Sequence, residues 1–222
     1  MNERVWEILL DSFGKILLKG LEVTLPLTIA SFAIAIVIGV VVALIQVANI
    51  KGLKQICRFY VWIIRGTPIL VQLYVIFFGL PSIGIVIDPF PSALLVFGIN
   101  TGAYASETIR AAIESIDKGQ IEAGYCVGMT YTQIMARIVL PQALRVAFPS
   151  LFNILISLVK DTSLASSITL VEMIRQTQYV IARTYEAFWL YLEVGLIYLI
   201  FCTVLTKIQS YGEKKLSSYG GQ

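Results

Sequence analysis

From Val23 to Ile50 the chain runs for 28 residues without one charged side chain. A helix rises ~1.5 Å per residue and a bilayer's hydrocarbon core is ~30 Å thick, so about 20 apolar residues are enough to cross it. A soluble helix buries one stripe and wets the rest, and this stretch offers water no charge on any face. It therefore fixes the solvent before it fixes the fold: this element is built for lipid. Composition extends the conclusion to all 222 residues, of which 57% are hydrophobic and only 14% charged, with a mean hydropathy of +0.80. A soluble domain carries about one-quarter charged residues, so this chain lacks the means to cover a wet surface.

The same composition excludes several kinds of function. The net charge of +3 comes from basic residues scattered along the chain, which argues against nucleic acid and for the orientation signals of a membrane protein. Cys57, Cys126 and Cys202 stand far apart, with no metal or redox spacing, and read as small apolar fillers. There is no histidine, hence neither the commonest general base nor the commonest zinc ligand. We expect no catalytic residue, no metal and no other cofactor in this chain. An intramembrane enzyme would need a nucleophile–base pair that is not recognisable here. No Gly-x-x-x-x-Gly-Lys-Ser/Thr run occurs, so the loop that cradles nucleotide phosphates is missing as well.

Residues 2–20 do not read as a cleavable signal peptide. Glu3, Arg4, Glu7, Asp11, Lys15 and Lys19 recur mostly four apart, with Val5, Ile8, Leu9, Phe13, Ile16 and Leu17 between them. That pattern predicts an amphipathic helix over 1–20 for the membrane surface. A helix packed along the protein's own flank fits it equally well.

Beyond it the chain reads as all-α, with five transmembrane helices over residues 23–50, 59–80, 90–111, 146–169 and 187–206. The second is charge-free except for Arg65, and "PSIGIVIDPFP" after it marks a loop or re-entrant bend. The fourth is awkward. Only 14 uncharged residues separate Arg145 from Lys160, about 21 Å of helix. The apolar "SLASSITLV" beyond them favours a span carrying Lys160 and Asp161 inside it. Glu193 lies in the outer part of the fifth. An odd number of crossings puts the termini on opposite sides, and basic residues choose which. Eleven fall on one side (Lys51, Lys54, Arg58, Arg65, Arg110, Lys118, Arg137, Arg145, Lys207, Lys214 and Lys215) against 6 on the other. The positive-inside rule then places the N-terminus outside, and the 209–222 tail and residues 118–141 in the cytoplasm.

The segment 118–141, "KGQIEAGYCVGMTYTQIMARIVLP", is far longer than a turn. It reads as a short helix over 120–127, a break at Gly128, and a second helix over 132–139 with a threonine to cap its start and Pro141 to end it. Ala123 and Gly124 would let another backbone come close. An ordinary interfacial loop fits these features too. The spacing Glu122-Ala123-Gly124, Gly128, Ile138, Leu140-Pro141 resembles the signature of ABC importer permease subunits, departing only where that family's second alanine is Gly124. "RGTPILVQLYVIFFGLP" (65–81), "NTGAYASETIRAAIESI" (100–116) and "LVKDTSLASSI" (158–168) resemble the branch that imports polar amino acids.

The resemblance runs from about Leu21 to the C-terminus. It implies a subunit of a bacterial inner membrane that pairs with a second permease subunit, identical or different. It also implies two ATP-binding subunits that hold ATP and magnesium, and an extracytoplasmic amino-acid-binding protein. Residues 118–141 would be the helix docking on the ATPase.

Ionisable residues inside a membrane are functional candidates by default. Arg65 and Glu107 lie at comparable depth and suit a structural pair, with Arg110 in reach of Glu107 at i+3. Pro68 should kink or break the second span. Asn100, Thr101 and Tyr104 sit nearer the middle of the third. Together with Lys160, Asp161 and Ser163 they offer the charges, amide and hydroxyls that a free amino acid needs along its path. The other reading is that Lys160 and Asp161 only pair with each other or with Glu193. Cystine or glutamine suits a Lys–Asp pair slightly better than arginine, histidine or glutamate. A stand-alone secondary transporter or channel would also explain the buried charges, but not the segment 118–141.

Overall fold

The computed structural model describes residues 3–218, and every regular element among them is helical. Helix α1 (Glu3–Lys19) and helix α2 (Leu25–Val47) join through a wider turn at Gly20–Thr24 into one 45-residue helix. Next come α3 (Leu53–Gly66), α4 (Ile69–Tyr74) with its looser continuation to Ile83, and α5 (Pro89–Glu114). Two short helices, α6 (Lys118–Cys126) and α7 (Tyr131–Ile134), lead into α8 (Leu140–Asp161). A tighter stretch over Thr162–Ile168 precedes α9 (Met173–Thr184), and α10 (Ala187–Ser218) closes the fold.

The centre is the pair α2–α5, the most extensive helix contact in the molecule. Small residues make it possible. A Cβ on Gly39 would meet Ala105 Cβ at 2.9 Å and the Ser106 backbone nitrogen at 3.2 Å. Gly102 likewise lies under Ile38. Lipid tails are as apolar as leucine, so helices in a bilayer gain by close packing, which small residues permit.

Three features bear on the expected arrangement. First, α1 packs along the protein's own flank, the second of its two readings. Its apolar stripe meets protein: Ile16 is fully buried among Met173, Val194 and Ile197, and the Ser12 hydroxyl donates to Glu193 at 2.6 Å. Second, among the described residues three helices are long and apolar enough to cross a membrane, 3–47, 131–168 and 187–216, with a fourth crossing if the bent pair α3–α4 counts as one. Helix α5 has 26 residues and so ~39 Å of length, yet its sequence is mixed because Phe97, Asn100 and Thr101 face protein rather than lipid. Third, no separate tail begins at 209. Helix α10 continues because Gln209 is buried against α8, donating to Pro149 O and Asn153 Oδ1 at 3.3 and 3.2 Å. The last four residues of the expected tail, 219–222, lie outside the described residues.

Glu172 caps the start of α9 with its carboxylate on the Arg175 backbone N–H at 2.9 Å, and the Tyr198 hydroxyl donates to it at 3.0 Å. Burial pushes this carboxyl up to about 7 despite those donors. The folded state therefore holds a proton that the unfolded chain gives up above its ordinary 4.5. Stability is greatest below that value and falls as pH rises through about 7, by up to about 3 kcal/mol. We expect the thermal midpoint to drop between about pH 5 and about pH 8, and Glu172→Gln to flatten that slope. A midpoint rising over the range, with no change in the variant, would contradict this.

Candidate functional site

The α3–α4 elbow is the element that builds the site. Pro68 cannot continue a helix, and it pushes Thr67 into extended backbone (φ −121°, ψ 143°). The two segments bend apart by 102°. Such a break frees carbonyls that lipid cannot satisfy. Gln72 satisfies two of them: its Nε2 donates to Ile64 O at 2.9 Å and to Thr67 O at 3.2 Å, with the Thr67 hydroxyl oxygen also at 2.8 Å. Its Oε1 then accepts from Asn100 Nδ2 at 3.0 Å, which ties the elbow to the midpoint of α5.

Around this junction lies a cleft of about 660 Å³. One wall is the elbow, with Arg65, Thr67 and Pro68. Helix α5 supplies Asn100, Thr101 and Tyr104, and α8 supplies Asn153, Ser157 and Asp161. Asn100 and Thr101 are buried, at 7% and 6% exposure, with one Asn100 amide N–H held by Gln72. The Arg65 guanidinium stacks on Tyr104, its carbon 5.1 Å from the ring centroid. Asp161 is half-buried and has no hydrogen-bond or ion-pair partner among the described residues. An unpaired carboxylate at that depth is costly unless something cationic visits it.

The structure brings Asn100, Thr101, Tyr104 and Asp161 to one cleft. Lys160 does not join them; it is exposed and makes no salt bridge with Asp161, since neighbours on a helix point ~100° apart. Ser163 is half-buried outside the cleft, its carbonyl accepting from the Ser166 hydroxyl. Arg65, expected as half of a structural pair, reaches Glu107 at 4.0 Å and also lines the cleft. Glu107 belongs to Arg110, at 2.8 Å, which also holds Glu114 at 2.7 Å. Glu193 meets Ser12 rather than Lys160.

Sequence reading missed Gln72, Asn153 and Ser157. The last two carried a legible signal, since Asn153, Ser157 and Asp161 recur four apart and share one helix face.

Residues 118–141 form a second built surface. Asp117 caps α6 and Thr130 caps α7, with Gln133 reaching back to the Thr130 N–H at 2.9 Å. Gly128, at φ +79°, makes the turn between them. Pro141 does not end the second helix. A wider turn over Met135–Val139 carries the chain past the proline and into α8. Nor is Gly124 offered to a partner: it is buried, and a Cβ there would meet Ile134 Cγ1 at 2.7 Å. Glu122, Ala123, Gly128 and Pro141 are exposed, whereas Ile138 and Leu140 are half-buried. Ile134, Met135 and Val139 bury themselves with Ala43 of α2, Ile109 and Ile113 of α5, and Ala143 of α8. Tyr125, Val127 and Tyr131 stay exposed, at 53%, 76% and 45%.

The model of the binding-protein-dependent transport system inner membrane component matches residues 35–218. The L-cystine transport system permease protein TcyB of Bacillus subtilis (strain 168) is 45% identical over 215 residues, 96% of this chain and 92% of that one. The arginine transport system permease protein ArtQ of the same organism is 36% identical, across 91% of this chain and 93% of its own. Among solved structures, an amino acid ABC transporter crystallised with histidines superposes with a TM-score of 0.87 at 33% identity, covering 93% of this chain and 96% of that one.

Proposed function

The chain belongs to the binding-protein-dependent transport system inner membrane components, among the amino-acid ABC transporter permeases, and we propose that its cleft carries a small zwitterionic amino acid across the membrane. The observation that carries this is a cation and a carboxylate on different walls of the same cleft, Arg65 at the elbow and Asp161 on α8. A zwitterion presents the complementary pair, an ammonium for Asp161 and a carboxylate for the planar guanidinium of Arg65. Asn100, Thr101 and Tyr104 add donors and acceptors between them. Cystine or glutamine suits this arrangement, with arginine, histidine and glutamate admissible. The cystine named for the relative TcyB supports the first of these.

In this reading the chain makes five crossings, with α5 and the bent pair α3–α4 counted among them. It works beside a second permease subunit, a further copy or a related chain. An extracytoplasmic binding protein delivers cargo, and two ATP-binding subunits, holding ATP and magnesium, sit against residues 118–141 on the cytoplasmic side. The packing supports alternating access. The shared cluster around Ile134 joins α6–α7 to the ends of α2, α5 and α8, so a push on the short helices reaches the cleft walls. The N-terminus then lies outside.

Uptake of labelled cystine, competed by the other four amino acids, tests the cargo. Asp161→Asn and Arg65→Gln each remove one charge-assisted contact and should raise the half-saturating concentration by about 10- to 150-fold. Variants that transport like the parent would overturn the cleft's role. Uptake persisting in vesicles without ATP or partner subunits would overturn the importer itself.

A further inference from the structure

A second polar cleft, about 300 Å³, lies between α3 and α5, joined to the cargo cleft through the Arg65–Glu107 contact. Lys54, Arg58 and Trp62 line it from α3, and Glu107, Arg110 and Glu114 from α5. The two carboxylates are both taken by Arg110. Lys54 meets only the neutral Asn49 amide oxygen, at 2.7 Å, and Arg58 has no ion pair or hydrogen bond among the described residues. Three cations against two carboxylates leave one positive charge in excess, with Arg58 its open donor.

The outer side of the same helix is apolar. Ile56, Phe59 and Trp62 are exposed at 65%, 60% and 70%. A cationic recess that adjoins uncovered apolar and aromatic side chains, at the end of membrane helices, matches one kind of molecule: a monoanionic phosphate carrying hydrocarbon. We propose that this cleft binds the phosphate head of an anionic phospholipid, with Arg58 and Lys54 on the phosphate and the acyl chains along Phe59 and Ile56. Trp62 stands where head and chain meet, the place its amphipathic ring favours. The charge balance argues for a phospholipid of net negative charge, since a zwitterionic headgroup brings its own cation beside the phosphodiester and would leave the excess cation uncompensated. This inference rests on the chain's lying in a bilayer and not on which cargo it carries.

The test is native mass spectrometry of the purified transporter complex with phosphatidylglycerol or phosphatidylcholine added. The parent should retain phosphatidylglycerol in preference. The double variant Lys54→Gln/Arg58→Gln should bind it about 30-fold more weakly, at about 1 kcal/mol per cation. Arg183→Gln, a cation elsewhere on the surface, should leave binding unchanged. Displacement of the lipid by millimolar glycerol 1-phosphate would keep the phosphate chemistry but overturn the lipid as its source. Equal retention in the parent and the double variant, or equal binding of phosphatidylcholine, would overturn the site.

Should the double variant not assemble, the parent protein still decides. Brominated phosphatidylglycerol should quench fluorescence that Trp62→Phe removes, and brominated phosphatidylcholine should quench it less. Identical quenching by both lipids would count against the proposal.

Discussion

Gly39→Leu is expected to leave little folded protein in the membrane. At Gly39 the neighbours of an added Cβ are Ala105 Cβ at 2.9 Å, Ser106 N at 3.2 Å and Ala105 C at 3.3 Å. Two of these three are backbone atoms of α5, so no rotamer change makes room. The helices must separate. Overpacking a core costs about 1–3 kcal/mol when side chains can shift, and a rigid backbone contact lies at or above the top of that range. Separation also uncovers the buried run on α5 through Phe97, Asn100 and Ile109, on which both clefts depend. Gly98→Ala should be milder, because the atoms it meets belong to the Ile34 side chain. Gly14→Ala is the opposing control: nothing lies within 4 Å of its added Cβ, and alanine favours a helix by about 1 kcal/mol over glycine. Thermal midpoints in detergent, with the fraction of protein in the monodisperse peak, should rank Gly14→Ala, parent, Gly98→Ala and Gly39→Leu in descending order. A Gly39→Leu protein that accumulates and melts like the parent would show that α2 and α5 do not pack as described.

Gly39 also shows what could be read from the chain and what could not. The charge-free run from Val23 announces α2 because lipid on its outer face imposes a simple rule on composition. The turn at Gly128 and the cap at Thr130 were legible because both are local, set by residues within one turn of each other. Helix α5 obeys no such rule. Its surroundings are other helices, so Asn100, Thr101 and Ser106 are buried among apolar residues, and the sequence looks like a weak span.

Distance in sequence hid the rest. Ser12 meets Glu193 and Arg65 meets Tyr104, pairings that only the folded chain supplies. Gln72 was hidden for a different reason: a lone amide in an apolar segment gives no sign that it closes the break made by Pro68 four residues earlier. Lys160 shows the converse. Adjacent charges look like a pair in a string of letters, but the helix turns them to different faces and they form no salt bridge among the described residues.

On the proposal that an ATP-binding subunit sits against residues 118–141, Gly124→Phe is expected to disconnect the chain from that subunit while leaving the membrane helices folded. Gly124 is buried within α6 where Ile134 and Ile138 cross it, at 2.7 and 3.5 Å from an added Cβ. Alanine there asks one isoleucine to shift. Phenylalanine has nowhere to go except between the two helices, which would lift α6 away from the cluster that ties it to α2, α5 and α8. The outward face would then move as well, and with it Tyr125, Val127 and Tyr131. If those exposed side chains are the docking surface, losing their arrangement removes the central anchors of an interface, each worth about 2 kcal/mol or more, or about 30-fold in affinity. Co-purification with the ATP-binding subunit should fall at least that far, and amino-acid-stimulated ATP hydrolysis should drop to the level of the subunit alone. The melting midpoint of the membrane part should hardly change, because α6 adds little to the α2–α5 core. Tyr125→Ala with Val127→Ser separates surface from scaffold: both residues are exposed, so this pair should weaken co-purification without touching the fold. Full ATP-driven uptake by Gly124→Phe would mean that α6 can leave its seat without consequence, and the ATPase would then have to be coupled through another part of the cytoplasmic face.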